Sequence, residues 1–132
     1  MLFLHPYNLP EKSSNMKNII IYSSDASMCL SFLMYLQNSY NVTTTTDLHV
    51  LQEVSSYLDF DMIIIDTQPS KKIEALCYEL RKAKTNVPIV LTYVYENQVK
   101  DFDKTIRKYT NSIIYKPFDL NEVTKQLSTL FV

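Results

Sequence analysis

Apolar and polar positions alternate along this chain with two different periods. Five short runs are rich in Ile, Val, Thr and Tyr, as buried strands are, and they cover residues 18–22, 41–45, 62–65, 89–91 and 112–115. Between and after these runs, apolar residues recur at the i, i+3, i+4 spacing of a helix face. Because each parallel crossover needs a connecting helix, this alternation predicts a doubly wound α/β fold with a five-stranded parallel sheet.

Each predicted helix has one apolar face that should pack on the sheet. In chain order, the five faces are Phe32, Leu33 and Leu36; Leu48, Leu51 and Leu58; Ile73, Leu76, Cys77 and Leu80; Val99, Phe102 and Ile106; and Leu120, Val123, Leu127 and Leu130. Asp47 or Thr46 is positioned to cap the second helix. The chain of 132 residues has room for one domain, which we place at residues 16–132, with residues 1–15 as a flexible arm.

Polar side chains follow the predicted strands at the end where this class of fold binds ligands. In open parallel sheets, ligands lie outside the carboxyl ends of the strands, where the strand order reverses. The candidates there are Ser23, Ser24 and Asp25 after the first strand, Asp66 after the third, Thr92 and Tyr93 after the fourth, and Lys116 after the fifth. The sequence therefore predicts that carboxylate, hydroxyl and ammonium groups meet at one edge of the sheet.

These groups together suit phosphoryl transfer. An aspartate can attack a phosphoryl group and form an acyl phosphate if the charge on the transferring oxygens is neutralised. A lysine supplies one positive charge and Mg²⁺ two more, and a threonine hydroxyl can donate a hydrogen bond to a phosphoryl oxygen. Because Mg²⁺ prefers carboxylate and water oxygens, such a site needs acid beyond the nucleophile itself.

At these residues the chain resembles the receiver domains of two-component response regulators. The resemblance spans about residues 17–131 and is carried by 61–66 with its terminal Asp66, by 88–92, which ends in Thr92, and by Lys116-Pro117-Phe118 before the last helix. It implies Asp66 as the phosphoacceptor and Lys116 and Thr92 as phosphate-contacting residues. It also implies a cis peptide bond before Pro117.

The pair of acids that such domains carry after the first strand is altered here. A gap-free alignment places Ser23 and Ser24 in the two acidic positions, which leaves Mg²⁺ with Asp66 and little else. A shift of one residue instead aligns Ser24 and Asp25 with the pair. Asp25 and Asp66 would then both ligate Mg²⁺, with Ser24 at a degenerate acidic position. The sequence leaves both alignments open, since boundaries inferred from sequence are uncertain by about two to four residues.

Three further departures predict an altered output. The fourth strand ends one residue early, so Thr92 and Tyr93 compete for the position of the switch hydroxyl. Pro69 follows Asp66 by three residues where such domains have four, which predicts a shorter loop beside the acceptor. The residue three before the lysine is an aromatic in such domains, and here it is Ile113, which cannot exchange between exposed and buried aromatic rotamers.

Composition excludes several other function classes. Thirteen basic and 14 acidic residues give a formal net charge of -1, which offers no electrostatic surface for nucleic acid or an anionic membrane. No run approaches the ~20 apolar residues of a membrane crossing. Cys29 and Cys77 fall in helical patterns, and we expect them to be buried, reduced thiols in a cytoplasmic protein.

The chain contains no glycine, which bears on its turns and on phosphate binding. Left-handed turn positions are expected to fall on asparagine instead, at Asn38, Asn41, Asn86 and Asn111. A glycine-cradled phosphate loop is excluded. Residues 22–27 superficially resemble the phosphate loop of flavodoxins, which share this fold. Those loops depend on glycine, however, and flavin binding would leave Asp66 and Lys116 without a role.

The sequence therefore predicts a stand-alone, atypical receiver domain in phosphorelay signalling that is not an enzyme. In one hypothesis, a histidine kinase or phosphotransfer protein phosphorylates Asp66 with Mg²⁺ bound, and the domain then docks to a downstream protein. In the other, the site is degenerate and the domain is a pseudo-receiver that binds its partner without phosphorylation. A flavodoxin-like flavin-binding protein is a minor alternative, and homodimerisation stays open.

Overall fold

The computed structural model describes residues 16–131 and confirms the doubly wound α/β fold. The elements are β1 (Lys17–Ser23), α1 (Ala26–Leu36), β2 (Tyr40–Thr45), α2 (Leu48–Tyr57), β3 (Met62–Asp66), α3 (Lys71–Ala83), β4 (Ile89–Tyr93), α4 (Lys100–Ile106), β5 (Ser112–Tyr115) and α5 (Leu120–Ser128). A short 3-10 turn, Asn97–Val99, leads into α4. The arm expected at residues 1–15 lies outside the described residues. Within the described range, no helix has both the length and the apolar composition that a bilayer crossing requires.

The five strands form one parallel sheet in the order β2-β1-β3-β4-β5. The strand order reverses between β1 and β3, so the expected ligand position lies beside their carboxyl ends. The register pairs Ser23 of β1 with Asp66 of β3, and Asp66 with Thr92 of β4. Directly paired residues on neighbouring strands project to the same face, so these three side chains form one row.

A hydrophobic core covers each face of the sheet. On one face, strand residues such as Ile63 and Leu91 pack with α2, α3 and α4, and on the other face residues such as Ile64 and Val90 pack with α1 and α5. The predicted helix-face residues that are buried are Phe32, Leu36, Leu51, Ile73, Leu76, Cys77, Leu80, Ile106, Val123 and Leu127. Burial of each large apolar side chain stabilises the fold by about 1.5–3 kcal/mol.

Side-chain caps fix where four of the helices begin. Asp25 caps α1, Asp47 caps α2, Ser70 caps α3 and Asp119 caps α5, and each side chain accepts a hydrogen bond from an amide of the first turn. Such a cap stabilises a helix by about 1 kcal/mol. Asp47 therefore takes the capping role for which the sequence offered two candidates.

The expectation of left-handed asparagines was wrong. No residue among those that the structure describes has a positive φ. The residues that end the helices have negative φ instead, for example Gln37 with φ -64° and Leu58 with φ -113°. These connections need no left-handed residue, which explains how the chain folds without glycine.

Both cysteines are free and buried, as predicted. Burial raises the pKa of the Cys77 thiol to about 12, and burial also raises the pKa of Cys29. The thiolate is the reactive form of cysteine. A pKa near 12 leaves only about one Cys77 thiol in ten thousand ionised at pH 8. We expect Ellman's reagent to react with neither cysteine of the native protein at pH 8 and with both in denaturant. Rapid reaction of one thiol in the native state would contradict this picture.

Candidate functional site

The Asp66 carboxylate is the centre of the candidate site, and protein groups surround it. The residue ends β3 and is 7% exposed. Its Oδ2 accepts a hydrogen bond from the Ser23 hydroxyl at 2.7 Å, and its Oδ1 accepts one from the Thr92 hydroxyl at 2.6 Å. The Lys116 ammonium lies 3.1 Å from Oδ1 and 3.4 Å from Oδ2. Both carboxylate oxygens are therefore engaged by neutral and charged donors.

The sheet itself brings these four side chains together. Ser23, Asp66 and Thr92 end neighbouring strands in register, and Lys116 follows β5 directly. The Lys116 amide donates to the Tyr93 carbonyl at 2.8 Å, which keeps the lysine alongside β4. The Lys116–Pro117 peptide bond is cis, the geometry that the resemblance implies.

The structure distinguishes the two candidates for the hydroxyl on β4. Thr92 is fully buried and points at Asp66. Tyr93 projects to the opposite face of the sheet, where its hydroxyl donates to Asp103 of α4. Successive residues of a strand point to opposite faces, so only one of the pair can reach Asp66. Thr92 is that residue.

The residues after β1 favour the gap-free alignment over the shifted one. Asp25 is exposed, and its carboxylate caps α1 by accepting from the Ser27 amide at 2.8 Å. The Asp25 amide donates to the Ser23 hydroxyl at 3.1 Å. Ser23, and not Asp25, is thus the side chain next to the Asp66 carboxylate. The two positions aligned with the acidic pair then hold Ser23 and Ser24, neither of which carries a negative charge.

The hydrogen bond from Ser23 to Asp66 was not anticipated from the sequence. The sequence indicates Ser23 as a residue at the ligand-binding end of the sheet and as a position where an acid is missing, but not as a hydrogen-bond donor to Asp66. The feature of the sequence that indicates this contact is the position of Ser23 at the end of β1, because the register pairs it with Asp66 at the end of β3. A serine in this row satisfies the carboxylate instead of repelling it.

The residues of the site do not fit Mg²⁺ in this arrangement. Within residues 16–131, no group of three or more His, Cys, Asp or Glu side chains is placed to hold a metal ion. Mg²⁺ is bound in proteins by carboxylates and retained waters. Here one carboxylate, Asp66, already accepts from two hydroxyls and an ammonium. The expected ligand pair of Asp25 and Asp66 is therefore not supported by the geometry.

An open cavity of about 520 Å³ lies near the start of α1 and the end of β2, apart from Asp66. Its lining residues are Ala26, Ser27, Cys29, Leu30, Thr44, Thr45, Thr46 and Val50. Among residues 16–131, the lining contains hydroxyls and apolar groups but no lysine or arginine. A phosphate group placed there would find no cationic partner among these lining residues.

Comparison with solved structures identifies the fold. The chain is similar to a two-component response regulator from Clostridium difficile (15% identity, 87% of this chain and 95% of that chain, TM-score 0.74). It is similar to the chemotaxis protein CheY4 of Vibrio cholerae (20% identity, 88% and 99%, TM-score 0.74). It is also similar to the receiver domain of a sensor histidine kinase from Pseudomonas aeruginosa that has Mg²⁺ in its active-site cleft (18% identity, 87% and 97%, TM-score 0.72).

These comparisons show that the chain has the fold of response-regulator receiver domains. The shared length covers most of each structure, so the similarity concerns the whole domain. No protein-family profile and no curated protein matches the sequence. Because one fold can host many functions, the activity has to be argued from the residues of the site.

Proposed function

We propose that this chain is an atypical receiver domain of two-component signalling that acts by docking to other proteins without Mg²⁺-dependent phosphorylation of Asp66. The observation that carries the proposal is the environment of the Asp66 carboxylate, which is saturated by Ser23, Thr92 and Lys116. Serines occupy the positions where a magnesium site needs acids. The pseudo-receiver hypothesis accounts for this arrangement better than the phosphoacceptor hypothesis does.

Electrostatics supports the same choice. A nucleophilic carboxylate needs a lone pair directed at phosphorus, and compensation for the negative charge of the incoming group. At Asp66 both oxygens accept hydrogen bonds, and Lys116 is the cation that contacts them. At about 4 Å and an effective dielectric of about 20, each missing unit of positive charge removes about 4 kcal/mol of attraction before desolvation. Without a divalent cation, the site therefore lacks a large part of the attraction that would hold an incoming phosphoryl group.

Phosphorylation of Asp66 is the second candidate function. It is favoured by the combination of Asp66, Thr92 and Lys116 around one point at the edge of the sheet. In this case, a histidine kinase or phosphotransfer protein would supply the phosphoryl group. The two candidates share the docking function and differ in whether covalent modification controls it.

Exposed apolar side chains support a docking function. Leu30, Met34 and Tyr35 of α1 are 43%, 60% and 52% exposed. Helix α1 contains no charged residue over its 11 positions, although 20% of the chain is charged. Beyond β4, Val94 and Tyr95 are also exposed. Tyrosine and methionine are enriched where proteins bind one another, and charged residues are depleted there.

Flavin binding has less support than either candidate. The loop that superficially resembles a flavodoxin phosphate loop contributes Ala26 and Ser27 to the 520 Å³ cavity. The described residues that line the cavity offer no cation to a flavin phosphate, and Lys116 is instead paired with Asp66. Purified protein is accordingly expected to lack flavin absorbance.

Incubation with acetyl phosphate tests the proposal directly. We expect the intact mass of the protein to stay unchanged at millimolar Mg²⁺, because Asp66 lacks the acids that would hold the cation. Intact-mass spectrometry measures the result. If the wild-type protein gains the mass of one phosphoryl group and Asp66→Asn does not, the second candidate function is established and the proposal is overturned. The same gain in Asp66→Asn would instead indicate modification elsewhere.

A further inference from the structure

Strand β2 forms one edge of the sheet, and it lacks the features that usually keep an edge from pairing with another strand. Among the strands that the structure describes, none lies outside β2. Its sequence contains no charged residue, proline or glycine, and its register with β1 continues from Tyr40 to Thr45 without a bulge. Edge strands in natural proteins are protected by charges, prolines, bulges or short length. The outer edge of β2 is therefore suited to pairing with a further strand.

The chain around this edge is uncharged and exposes apolar side chains. No charged residue occurs between Asp25 and Asp47, a stretch that contains both α1 and β2. Leu30 and Met34, one turn apart on α1, are 43% and 60% exposed. Leu30 lines the cavity of about 520 Å³ together with Thr44 of β2, so this side of α1 lies beside the end of β2. An apolar segment that paired with β2 would cover these side chains and fill the cavity.

Residues 1–15 of the same chain connect to the sheet next to this edge. Lys17 pairs with Tyr40 at the start of β2, and the Met16 carbonyl accepts a hydrogen bond from Nδ2 of Asn41 at 3.3 Å. The preceding residues therefore join the sheet beside the start of β2. A strand outside β2 would lie two strand spacings from β1, or about 10 Å. Residues 10–15 are mostly polar and span about 20 Å when extended, which is enough for this crossing.

The sequence of residues 1–10 suits a strand that pairs on one edge only. Its apolar residues are Met1, Leu2, Phe3, Leu4, Tyr7 and Leu9. Alternate amides of a strand point to opposite edges, and a proline, which has no amide hydrogen, is tolerated where that edge faces solvent. Pro6 and Pro10 are four residues apart, so both fall on the same edge. With the prolines on the solvent edge, the amides of residues 3, 5, 7 and 9 all point toward β2.

We propose that residues 1–9 pair antiparallel with the outer edge of β2 in the same molecule and that the apolar side chains of residues 1–4 occupy the cavity beside Leu30. The direction follows from the connection, because residue 9 must lie near the start of β2. Since β2 has six residues, about three residues extend past Thr45, where the cavity lies. The arm that the sequence alone predicts to be flexible is thus bound. The contact does not involve Asp66, so this proposal and the proposed function can fail separately.

Hydrogen exchange of the wild-type protein, measured residue by residue, tests the pairing. In a strand with an open edge, alternate amides point to solvent and exchange rapidly. Strand β5 is the other edge of the sheet among residues 16–131 and provides the control within the same molecule. We expect the outward amides of β2 to exchange about tenfold more slowly, or slower still, than the outward amides of β5. Equally rapid exchange at the two edges would overturn the proposal.

Two proline substitutions distinguish the two edges of the proposed strand. His5→Pro removes an amide that points toward β2, so the outward amides of β2 should exchange about tenfold faster or more. Asn8→Pro is the matched control, because it removes an amide from the solvent edge and should leave the exchange of β2 unchanged. Both positions are polar and lie outside the cores of the sheet, so neither variant should lose the fold. Equal effects of the two variants, or no effect of either, would contradict the pairing.

Dilution distinguishes the chain's own residues 1–9 from a second copy of the protein. Protection that comes from the same molecule does not depend on protein concentration, and light scattering should give the mass of one chain. If the protection of β2 falls on dilution and light scattering gives the mass of a dimer, a second copy occupies the edge and the proposal is wrong.

Discussion

Replacement of Lys116 with methionine is expected to lower the free energy of unfolding by about 2–3 kcal/mol. The Asp66 side chain is 6% exposed, and its ion pair with Lys116 has an N–O distance of 3.1 Å. Loss of the ammonium leaves a buried carboxylate held by two hydroxyls, and breaking a buried pair typically costs about 3–5 kcal/mol. The Lys116 side chain is 27% exposed, so water can partly replace it and the expected value lies below that range. Urea denaturation monitored by circular dichroism measures the change.

A second ion pair in the chain provides a matched control. Lys84 contacts Asp59 at 3.0 Å, and the Lys84 side chain is 28% exposed, almost the same as that of Lys116. The Asp59 side chain is fully exposed, however, so Lys84→Met leaves no carboxylate buried and should cost far less. The double variant Asp66→Asn/Lys116→Met should recover much of the stability lost in Lys116→Met, because both partners are then absent. Equal losses in the two lysine variants would show that burial of Asp66 has no part in the effect.

The fold followed from periodicity and the location of the site from topology. Short β-branched runs alternating with helical faces admit few arrangements, since parallel crossovers need helices. Once the sheet is parallel, every carboxyl strand end lies at one edge, which brings Asp66 and Lys116 together although 50 residues separate them. No side-chain detail is needed for that step.

Side-chain direction could not be predicted in the same way. Strand ends inferred from sequence are uncertain by about two to four residues, whereas a shift of one residue moves a side chain to the other face. The choice between Thr92 and Tyr93 therefore needed the register. Asp25 posed the same difficulty, since an aspartate between a strand and a helix suits both a metal site and a helix cap. In the structure it caps α1.

The buried acid Asp103 of α4 illustrates a different limit. On the sequence, Asp103 stands in a short helix between Asp101 and Lys104 and looks like part of a solvated face. Its hydrogen-bond partners Tyr93 and Tyr115 come from two other elements. A charged residue is buried only when partners converge on it, and two of the partners here come from separate strands. Local pattern carries no information on that convergence.

Placement of two acids after β1 should create a magnesium site beside Asp66. In Ser23→Asp/Ser24→Asp, two carboxylates join Asp66 at the edge of the sheet, and their repulsion should destabilise the variant in EDTA. Mg²⁺ should reverse this loss, because it binds the native cluster and not the unfolded chain. A dissociation constant of about 1 mM would make about 10 mM Mg²⁺ stabilise the variant by about 1.4 kcal/mol, or roughly 5 °C in Tm.

Thermal unfolding with and without Mg²⁺ separates this outcome from a general charge effect. The control variant Ser27→Asp/Ser128→Asp adds the same two charges at exposed positions of α1 and α5. Mg²⁺ should change the Tm of neither this control nor the wild-type protein. Nonspecific screening of exposed charges stabilises a protein much less than ligation of the cation by three carboxylates does. If Mg²⁺ raises the Tm of the wild-type protein as much as that of Ser23→Asp/Ser24→Asp, the site binds the cation in spite of the two serines. The proposed function would then give way to phosphorylation of Asp66.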